Sequence, residues 1–315
     1  MTAPEPKVAE LPSVMRTRGW RDYALLDSGD GRKLERYGRF TVVRPEPQCL
    51  WTPALPVEAW DAADAVFDPA DEEDAGRWKL KGQAAGLESG EAWPLSWRDV
   101  TFNGRFTSFR HLAFFPEQAA NWQWLDAAVR GAAPTADGGR PRVLNLFGYT
   151  GVASLVMAAA GAAVTHVDAS KRAVAWARGN AELSGLADRP IRWITEDARK
   201  YVAREARRGS TYEGIILDPP KYGRGPDGEV WRLFENLPEL VGLCAQLLSG
   251  NAKFMVLNAY AERISGAALS GLLADRLKGR GGTIEWGELA LVQEDGAREV
   301  GMSFFARWQA DGAQA

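Results

Sequence analysis

From Arg142 onward, short apolar runs alternate with stretches of helical spacing. Arg142 to Phe147, Ala163 to Val167, Ile191 to Thr195, Glu213 to Leu217 and Lys253 to Asn258 are short, mainly apolar runs and predict strands. Between them, Val152 to Ala160, Ala173 to Leu183, Ala198 to Arg207 and Trp231 to Leu248 carry helical spacing, the last with Pro238 as a point of interruption. Ala267 to Leu277 predicts a fifth helix. Thr283 to Leu291 and Met302 to Trp308 read as two closing strands with no helix between them. Repeated βα units imply a parallel sheet covered by helices on both faces, and a closing β-β pair implies an antiparallel edge. The expectation is an α/β fold with a doubly wound, seven-stranded, mostly parallel sheet and a smaller β-rich N-terminal domain.

The first 130 residues follow another pattern. Tyr37 to Val43 and Asp99 to Phe109 are rich in aromatic and β-branched residues. Asn103-Gly104 predicts a hairpin turn between Trp97–Phe102 and Arg105–Phe109, and Ser28-Gly29-Asp30-Gly31 predicts a second tight turn. The acidic run Asp68 to Asp74 reads as an exposed loop or helix start. Gly131 to Arg140 is a Gly/Pro-rich linker, and Met1 to Glu10 reads as a polar tail. The expected division is a disordered tail over 1–16, a β-rich domain over 17–110, a connecting segment and linker over 111–140, and the α/β domain over 141–310.

Composition narrows the classes. The chain has 315 residues, 46% hydrophobic and 25% charged, enough for one large core or two smaller ones. No apolar run reaches eighteen residues, so no membrane span is expected. Two distant cysteines, Cys49 and Cys244, and two histidines, His111 and His166, offer neither a disulfide framework nor a metal centre, and the cytoplasm is the natural location. A net charge of −3 argues against a dedicated nucleic-acid binder but leaves room for a local basic face. Arg204, Arg207 and Arg208 read more readily as a solvated helix end. The 13 tryptophans read mainly as packing residues. Nothing in the sequence fixes an oligomeric state.

In a doubly wound sheet, ligands bind where the strand order reverses, at the carboxyl ends of the strands. The first such loop reads Asn145-Leu146-Phe147-Gly148-Tyr149-Thr150-Gly151. Gly148 permits a sharp turn and close approach of a ligand. Gly151 permits tight packing where the next helix begins, and that helix N-terminus favours an anionic group. A dinucleotide fingerprint needs glycine where Leu146 stands, which weakens a pyrophosphate-binding reading. Asp168, with Ala169 beside it, ends the second strand, where a carboxylate can accept from both hydroxyls of a ribose. Its alternative role is local helix capping, a role also open to Ser170. Asp197 and Ala198 follow the third strand, placed for an adenine amine and ring nitrogen or, for Asp197, for an N-cap. Asp218-Pro219-Pro220-Lys221-Tyr222 follows the fourth strand as a rigid extended wall whose carbonyls could meet a planar amine. Gly223 to Gly228 reads as a mobile substrate loop.

Taken together, Asn145 to Gly151, Asp168, Asp197 and Asp218 to Tyr222 resemble a class I S-adenosylmethionine-dependent methyltransferase. The resemblance is to the bacterial ribosomal-RNA large-subunit methyltransferase-like group in particular, and covers roughly residues 109 to 308. It implies S-adenosylmethionine as cofactor. Phe147, Gly148 and Gly151 would surround its methionine part, Asp168 its ribose, Asp197 its adenine and Asp218 its ammonium group. Phe114 to Gln118, followed by Asn121-Trp122, resembles the segment that folds over the cofactor, with Gln118 helping to close the site. Members that methylate cytosine at C5 carry a nucleophilic cysteine after the fifth strand. Here that stretch is Leu257-Asn258-Ala259-Tyr260, and Cys244 sits in an apolar helical pattern, so a cysteine mechanism is disfavoured.

Transfer to nitrogen or oxygen needs mainly alignment of the acceptor. Asp218, Pro219, Pro220, Lys221 and Tyr222 are the candidate catalytic group, Asn258 a candidate contact, and Tyr222 or Tyr149 a stacking platform for a base. RNA, above all ribosomal RNA, is the leading acceptor. The alternatives are a small molecule or protein acceptor, a nicotinamide-dependent dehydrogenase, and a non-catalytic RNA-binding protein.

Overall fold

The computed structural model describes residues 4–70, 76–88, 90–132, 138–260 and 264–312. The centre of the Gly131–Arg140 linker and most of the Asp68–Asp74 run lie outside these residues. The chain divides into two compact units: Met1–Met15 with Asn121–Leu289 and Met302–Ala315, and Arg16–Ala120 with Ala290–Gly301.

In the first unit, β1 (Arg142–Leu146), β2 (Ala163–Asp168), β3 (Ile191–Thr195), β4 (Gly214–Leu217) and β5 (Phe254–Ala259) follow the apolar runs of the sequence. Neighbouring members of this set pair in parallel in the order β3-β2-β1-β4-β5. The order reverses between β1 and β4, so the loops after these two strands flank the crevice where such sheets bind ligands. Two long strands, β6 (Thr283–Val292) and β7 (Glu299–Gln309), close the chain, with β7 antiparallel to β5 and β6 beside it.

The sheet has nine strands rather than the seven expected. Lys7–Val8 runs parallel to Thr283–Ile284, and Ser13–Thr17 also pairs with β6. Part of the expected disordered tail is therefore edge strand. Strands of two and five residues carry too little periodicity to register, and their partner lies at the other end of the chain. The α/β domain likewise begins before residue 141, because α1 (Ala119–Arg130) contributes Leu125, Ala128 and Val129 to its core.

Alternation along the strands feeds two cores. Val143, Ile216, Phe254 and Val256 face α1 and α2 (Val152–Ala160). Leu144, Leu146, Ile215, Leu217, Met255 and Leu257 face α4 (Ala198–Arg208), α5 (Leu233–Leu247) and α6 (Gly266–Arg276). Helix α3 (Lys171–Leu183) packs on β2 and β3. Helices on both faces of a largely parallel sheet are what period-2 strands apolar on both sides require. Helix α5 runs unbroken through Pro238, two residues shorter at its start than the pattern implied.

The second unit holds a five-stranded sheet and a separate hairpin. The Ser28–Gly31 turn joins Tyr23–Gly29 to Arg32–Tyr37, with Asp30 at φ 49° and Gly31 at φ 71°. The second predicted hairpin turns elsewhere: Ala92–Trp97 pairs with Val100–Arg105 around Arg98-Asp99. Asn103-Gly104 lies inside a strand, where Gly104 faces Trp93. A Cβ on Gly104 would come within 2.7 Å of Leu95 and 2.8 Å of the Trp93 ring, so indole packing explains this glycine. Glu35 is the buried centre of the unit. Arg44 grips both its oxygens at 2.7 and 2.8 Å, Tyr23 donates at 2.8 Å, and Lys33 stands 4.0 Å away. Burial opposes ionisation of Glu35, but Arg44 and Lys33 outweigh it and hold its pKa down at about 2.

Candidate cofactor and acceptor site

Beneath the glycine loop lies a row that sequence reading did not assemble. In the parallel register Asn145 of β1 stands beside His166 of β2, and His166 beside Trp193 of β3. Asn145 Nδ2 donates to Ser154 Oγ at 2.9 Å, and Ser154 Oγ lies 3.0 Å from His166 Nδ1. His166 is wholly buried, its ring centroid 5.0 Å from that of Trp193 and its Nε2 without a hydrogen-bond partner. Burial lowers its pKa to about 3, so the ring is neutral at physiological pH. The signal was an amide and an imidazole, Asn145 and His166, each inside a mostly apolar strand.

This row sets the loop above it. A Cβ on Gly148 would fall 2.4 Å from the His166 ring. Gly148 N–H donates to Val167 O at 3.0 Å, and Gly151 N–H to Gly148 O at 2.9 Å. Phe147 and Tyr149 both adopt positive φ, 58° and 49°, a conformation that costs energy in non-glycine residues and marks the loop as held by its surroundings. Gly151, at φ 85°, opens α2 and packs against α3, where a Cβ would lie 2.7 Å from that of Ala177. Asn180 Nδ2 fastens the same turn at Thr150 O, 2.9 Å away. No side chain caps α2, so its first amide groups keep their capacity for an anionic guest.

Asp168 ends β2 facing this loop. Its Oδ2 accepts the Tyr149 N–H and its Oδ1 the Ser170 N–H, each at 2.8 Å. Burial raises its pKa, while the two amide bonds partly pull it back. Each oxygen keeps a second lone pair. Ala169 follows, half-buried, and Ser170 rather than Asp168 caps α3. Burial also pushes the Tyr149 hydroxyl up to about 12, so it stays protonated. Asp197 is buried and caps α4, its Oδ1 accepting the Arg199 and Lys200 N–H groups at 3.0 and 3.1 Å. The capping role that the sequence left open is thus real, and it leaves Oδ2 for another donor. Ala198 is the buried first residue of α4. Arg204 is paired with Glu196 and Arg208 with Glu205, so neither belongs to a free basic face.

After β4, Pro219 is buried while Asp218 is half-buried and Pro220, Lys221 and Tyr222 are exposed. The wall is tied down at Pro220, whose carbonyl accepts the Trp231 Nε1–H at 2.7 Å. The stretch expected to be a mobile loop is a hairpin, Tyr222–Arg224 against Val230–Arg232. Trp231 lies in this hairpin rather than in a helix, buried, with its ring 4.9 Å from that of Phe147. One indole thus links the glycine loop to the Asp-Pro-Pro wall. Asn258, buried at the end of β5, accepts from Asn121 Nδ2 at 2.9 Å. Gln118 belongs to the second unit, in the short 3-10 turn Pro116–Gln118.

Both cysteines are buried. Cys244 lies in the apolar core and burial pushes its thiol up. Cys49 is raised to about 11, first by burial and then by Glu46. Neither is an activated nucleophile.

A doubly wound sheet, a glycine loop at its reversal point, and acids at the ends of β2 to β4 define a nucleoside-binding α/β enzyme. No family model matches the sequence. The crystal structure of the SAM-dependent methyltransferase from Agrobacterium tumefaciens is 48% identical, with a TM-score of 0.90 over 98% of this chain and 96% of that one. The chain belongs to the S-adenosylmethionine-dependent methyltransferases. The dehydrogenase alternative falls with that likeness. Ribosomal RNA large subunit methyltransferase K/L from Shewanella sp. (strain ANA-3) is 33% identical over 120 residues, 37% of this chain and 17% of that protein. Ribosomal RNA large subunit methyltransferase I from Shewanella denitrificans is 41% identical over 81 residues, 25% of this chain and 20% of that protein. The matches thus span a fifth or less of these two relatives. Among the described residues, no helix is long and apolar enough to cross a membrane.

Proposed function

We propose that this chain transfers the methyl group of S-adenosylmethionine to a base of RNA, ribosomal RNA first among the candidates, without a cysteine nucleophile and in the cytoplasm. The observation that carries the reading is the placement of Asp168 against the Phe147–Gly151 loop at the reversal point, with the Asp218-Pro219-Pro220 wall after the neighbouring strand. S-adenosylmethionine, when bound, supplies a methyl group already activated on a sulfonium.

The residues present suit that group. Gly148 and Gly151 let the loop backbone lie against His166 and Ala177, where no Cβ fits, and Phe147 and Tyr149 flank Gly148. The spare lone pairs of Asp168 suit two ribose hydroxyls, with Ala169 beside them. Asp197 Oδ2 and the Ala198 backbone suit an adenine edge, and Asp218 suits an ammonium group. Asn145 supports the loop through Ser154 in this scheme. Gln118 belongs to the second unit and takes no part in this scheme. At the wall, the Pro219 carbonyl would orient an amine acceptor, and Tyr222 would offer a stacking face. Lys221 and Asn258 complete the acceptor contacts. The RNA acceptor rests on the two ribosomal-RNA methyltransferases that are similar to part of this chain.

The deciding experiment is transfer of radiolabelled methyl groups into the RNA, protein and metabolite fractions of a strain lacking the gene. Label in RNA is expected, and label confined to protein or metabolites would overturn the acceptor. Asp168→Ala is expected to weaken S-adenosylmethionine binding by about 1–3 kcal/mol in calorimetry. Unchanged affinity would remove Asp168 from the site.

A further inference from the structure

The Tyr222–Arg232 hairpin has two unlike faces. In an antiparallel pair, residues directly opposite share a face and successive residues alternate. Tyr222 stands opposite Arg232, Arg224 opposite Val230, and Gly223 opposite Trp231. Tyr222, Arg224, Val230 and Arg232 are therefore on one face, and all four are exposed. Trp231 alone fills the other, where it is buried against Phe147 and bonded to Pro220 O.

The ribbon is braced at several points. Lys200 on α4 pairs with Glu229 and stands 3.5 Å from Asp227, and Arg199 Nη2 donates to Val230 O at 3.1 Å. The Asp227 N–H bonds back to Glu229 at 3.0 Å, and Leu233 N–H donates to Lys221 O at 3.0 Å. Both turn acids are thus engaged with Lys200. Of the outward residues, Arg232 meets Glu235 at 3.2 Å, an exposed pair that leaves its other guanidinium nitrogens available. Lys221 precedes the face and Phe234, 59% exposed, follows it.

We infer that this outward face, Tyr222 with Arg224 and Arg232, is the platform that docks a single-stranded RNA segment and delivers its target base to the Pro219–Pro220 wall. The inference rests on the RNA reading above and names the surface that serves it. An exposed ring stacks an unpaired base whatever its identity, and a guanidinium fork suits a phosphate. Diagonal neighbours across a ribbon, as Arg224 and Arg232 are, lie about 7 Å apart, so they can hold successive points of one backbone while Tyr222 holds a base between them. Since Trp231 joins the back of the ribbon to both the wall and the glycine loop, a strand docked on its front is registered against the cofactor site. A net-acidic chain can in this way hold RNA by a local face.

The test measures binding of a fluorescent single-stranded RNA, and methyl transfer to RNA, for the full chain carrying Arg224→Glu with Arg232→Glu, Tyr222→Ala, or the remote reversal Arg207→Glu. The double reversal is expected to weaken RNA binding at least tenfold, to lower the slope of log affinity against log salt by about 1.4, and to leave S-adenosylmethionine affinity as in the parent. Tyr222→Ala is expected to weaken RNA binding severalfold with little change in that slope, and Arg207→Glu to behave as the parent. If the parent binds and methylates RNA and the double reversal does so equally, the platform is wrong while the RNA reading stands. If the parent labels only protein or metabolites, both fall, and the label identifies the other acceptor.

Discussion

The two units bury polar groups in opposite ways. In the second unit two wholly buried acids, Glu35 and Asp27, are held by several donors each. Glu35 is gripped by Arg44 and Tyr23, and Asp27 takes the N–H groups of Ser28, Ala54, Leu55 and Trp60 at 2.8 to 3.2 Å. In the first unit the groups under and around the glycine loop are incompletely used. His166 keeps a buried nitrogen without a partner, and half-buried Asp168 takes two backbone amides rather than a cation, its pKa raised by desolvation. A closed network specifies a fold, because each member satisfies the next. Groups at strand ends with spare lone pairs specify a ligand, and the apo protein bears the cost. Burial alone therefore does not mark a site, and unspent hydrogen-bonding capacity at the reversal point does.

The sharpest way to break this contrast is a pair of substitutions with crossed readouts. Gly148→Val puts a side chain where a Cβ already falls 2.4 Å from the buried His166 ring, so loop or ring must move. S-adenosylmethionine affinity is expected to fall by more than a hundredfold, about 3 kcal/mol or more, with the chain still folded by circular dichroism. Arg44→Leu strands the Glu35 carboxylate and is expected to cost about 3–5 kcal/mol in denaturant unfolding. Cofactor affinity of the folded fraction should stay at the parental value. If Arg44→Leu weakens cofactor binding as strongly as Gly148→Val does, the division of labour between the units is wrong.

Acid should separate the units next. The folded-state pKa of His166 is about 3, far below that of an unfolded histidine. The unfolded chain takes up that proton first, so stability present above about pH 6.5 is lost as pH falls from there toward 3, reaching about 2 kcal/mol by pH 5. Asp168 opposes this: with a raised folded-state pKa, it costs stability above that value and ceases to once protonated. Glu35, held at about 2, keeps its contribution until pH falls below about 4.5. Hydrogen exchange from pH 7 to 4.5 should therefore show β1 and β2 loosening before Tyr23–Tyr37. Simultaneous loosening would sink the assignment of His166 as a buried neutral ring.

Much of the first unit was legible because local pattern and packing agree there. The five parallel strands β1 to β5 lie within a residue or two of their apolar runs, and four of them are largely buried, the half-buried β3 excepted. The Ser28–Gly31 turn was legible because positive φ at Asp30 and Gly31 calls for those residue types. Asn103-Gly104 misled because the same glycine solved another problem, room for Trp93, while the true turn uses Arg98 at φ 50° and carries no dipeptide signal. Lys7–Val8 could not be read because its pairing with Thr283–Ile284 spans the length of the chain. The acids at the strand ends were visible in the sequence. The row beneath them was not, because Asn145, Ser154 and His166 become neighbours only through strand register and a helix crossing.

The smallest effect probes where the sites meet within the first unit. Trp231 touches Phe147 through its ring and Pro220 through its indole nitrogen, and the two contacts can be separated. Trp231→Phe keeps an aromatic ring beside Phe147 but removes the donor to the Pro220 carbonyl. Because Pro220 is exposed, water can replace that donor, so folding stability should fall by only about 1 kcal/mol. S-adenosylmethionine affinity should barely change, since the ring still supports Phe147. What should change is alignment: a wall no longer pinned at Pro220 presents the acceptor over a wider range of positions, and misalignment lowers turnover more than binding. A several-fold fall in kcat at unchanged cofactor affinity is therefore expected in single-turnover assays. An equal fall in cofactor affinity would mean that Trp231 serves the glycine loop first and the wall only incidentally.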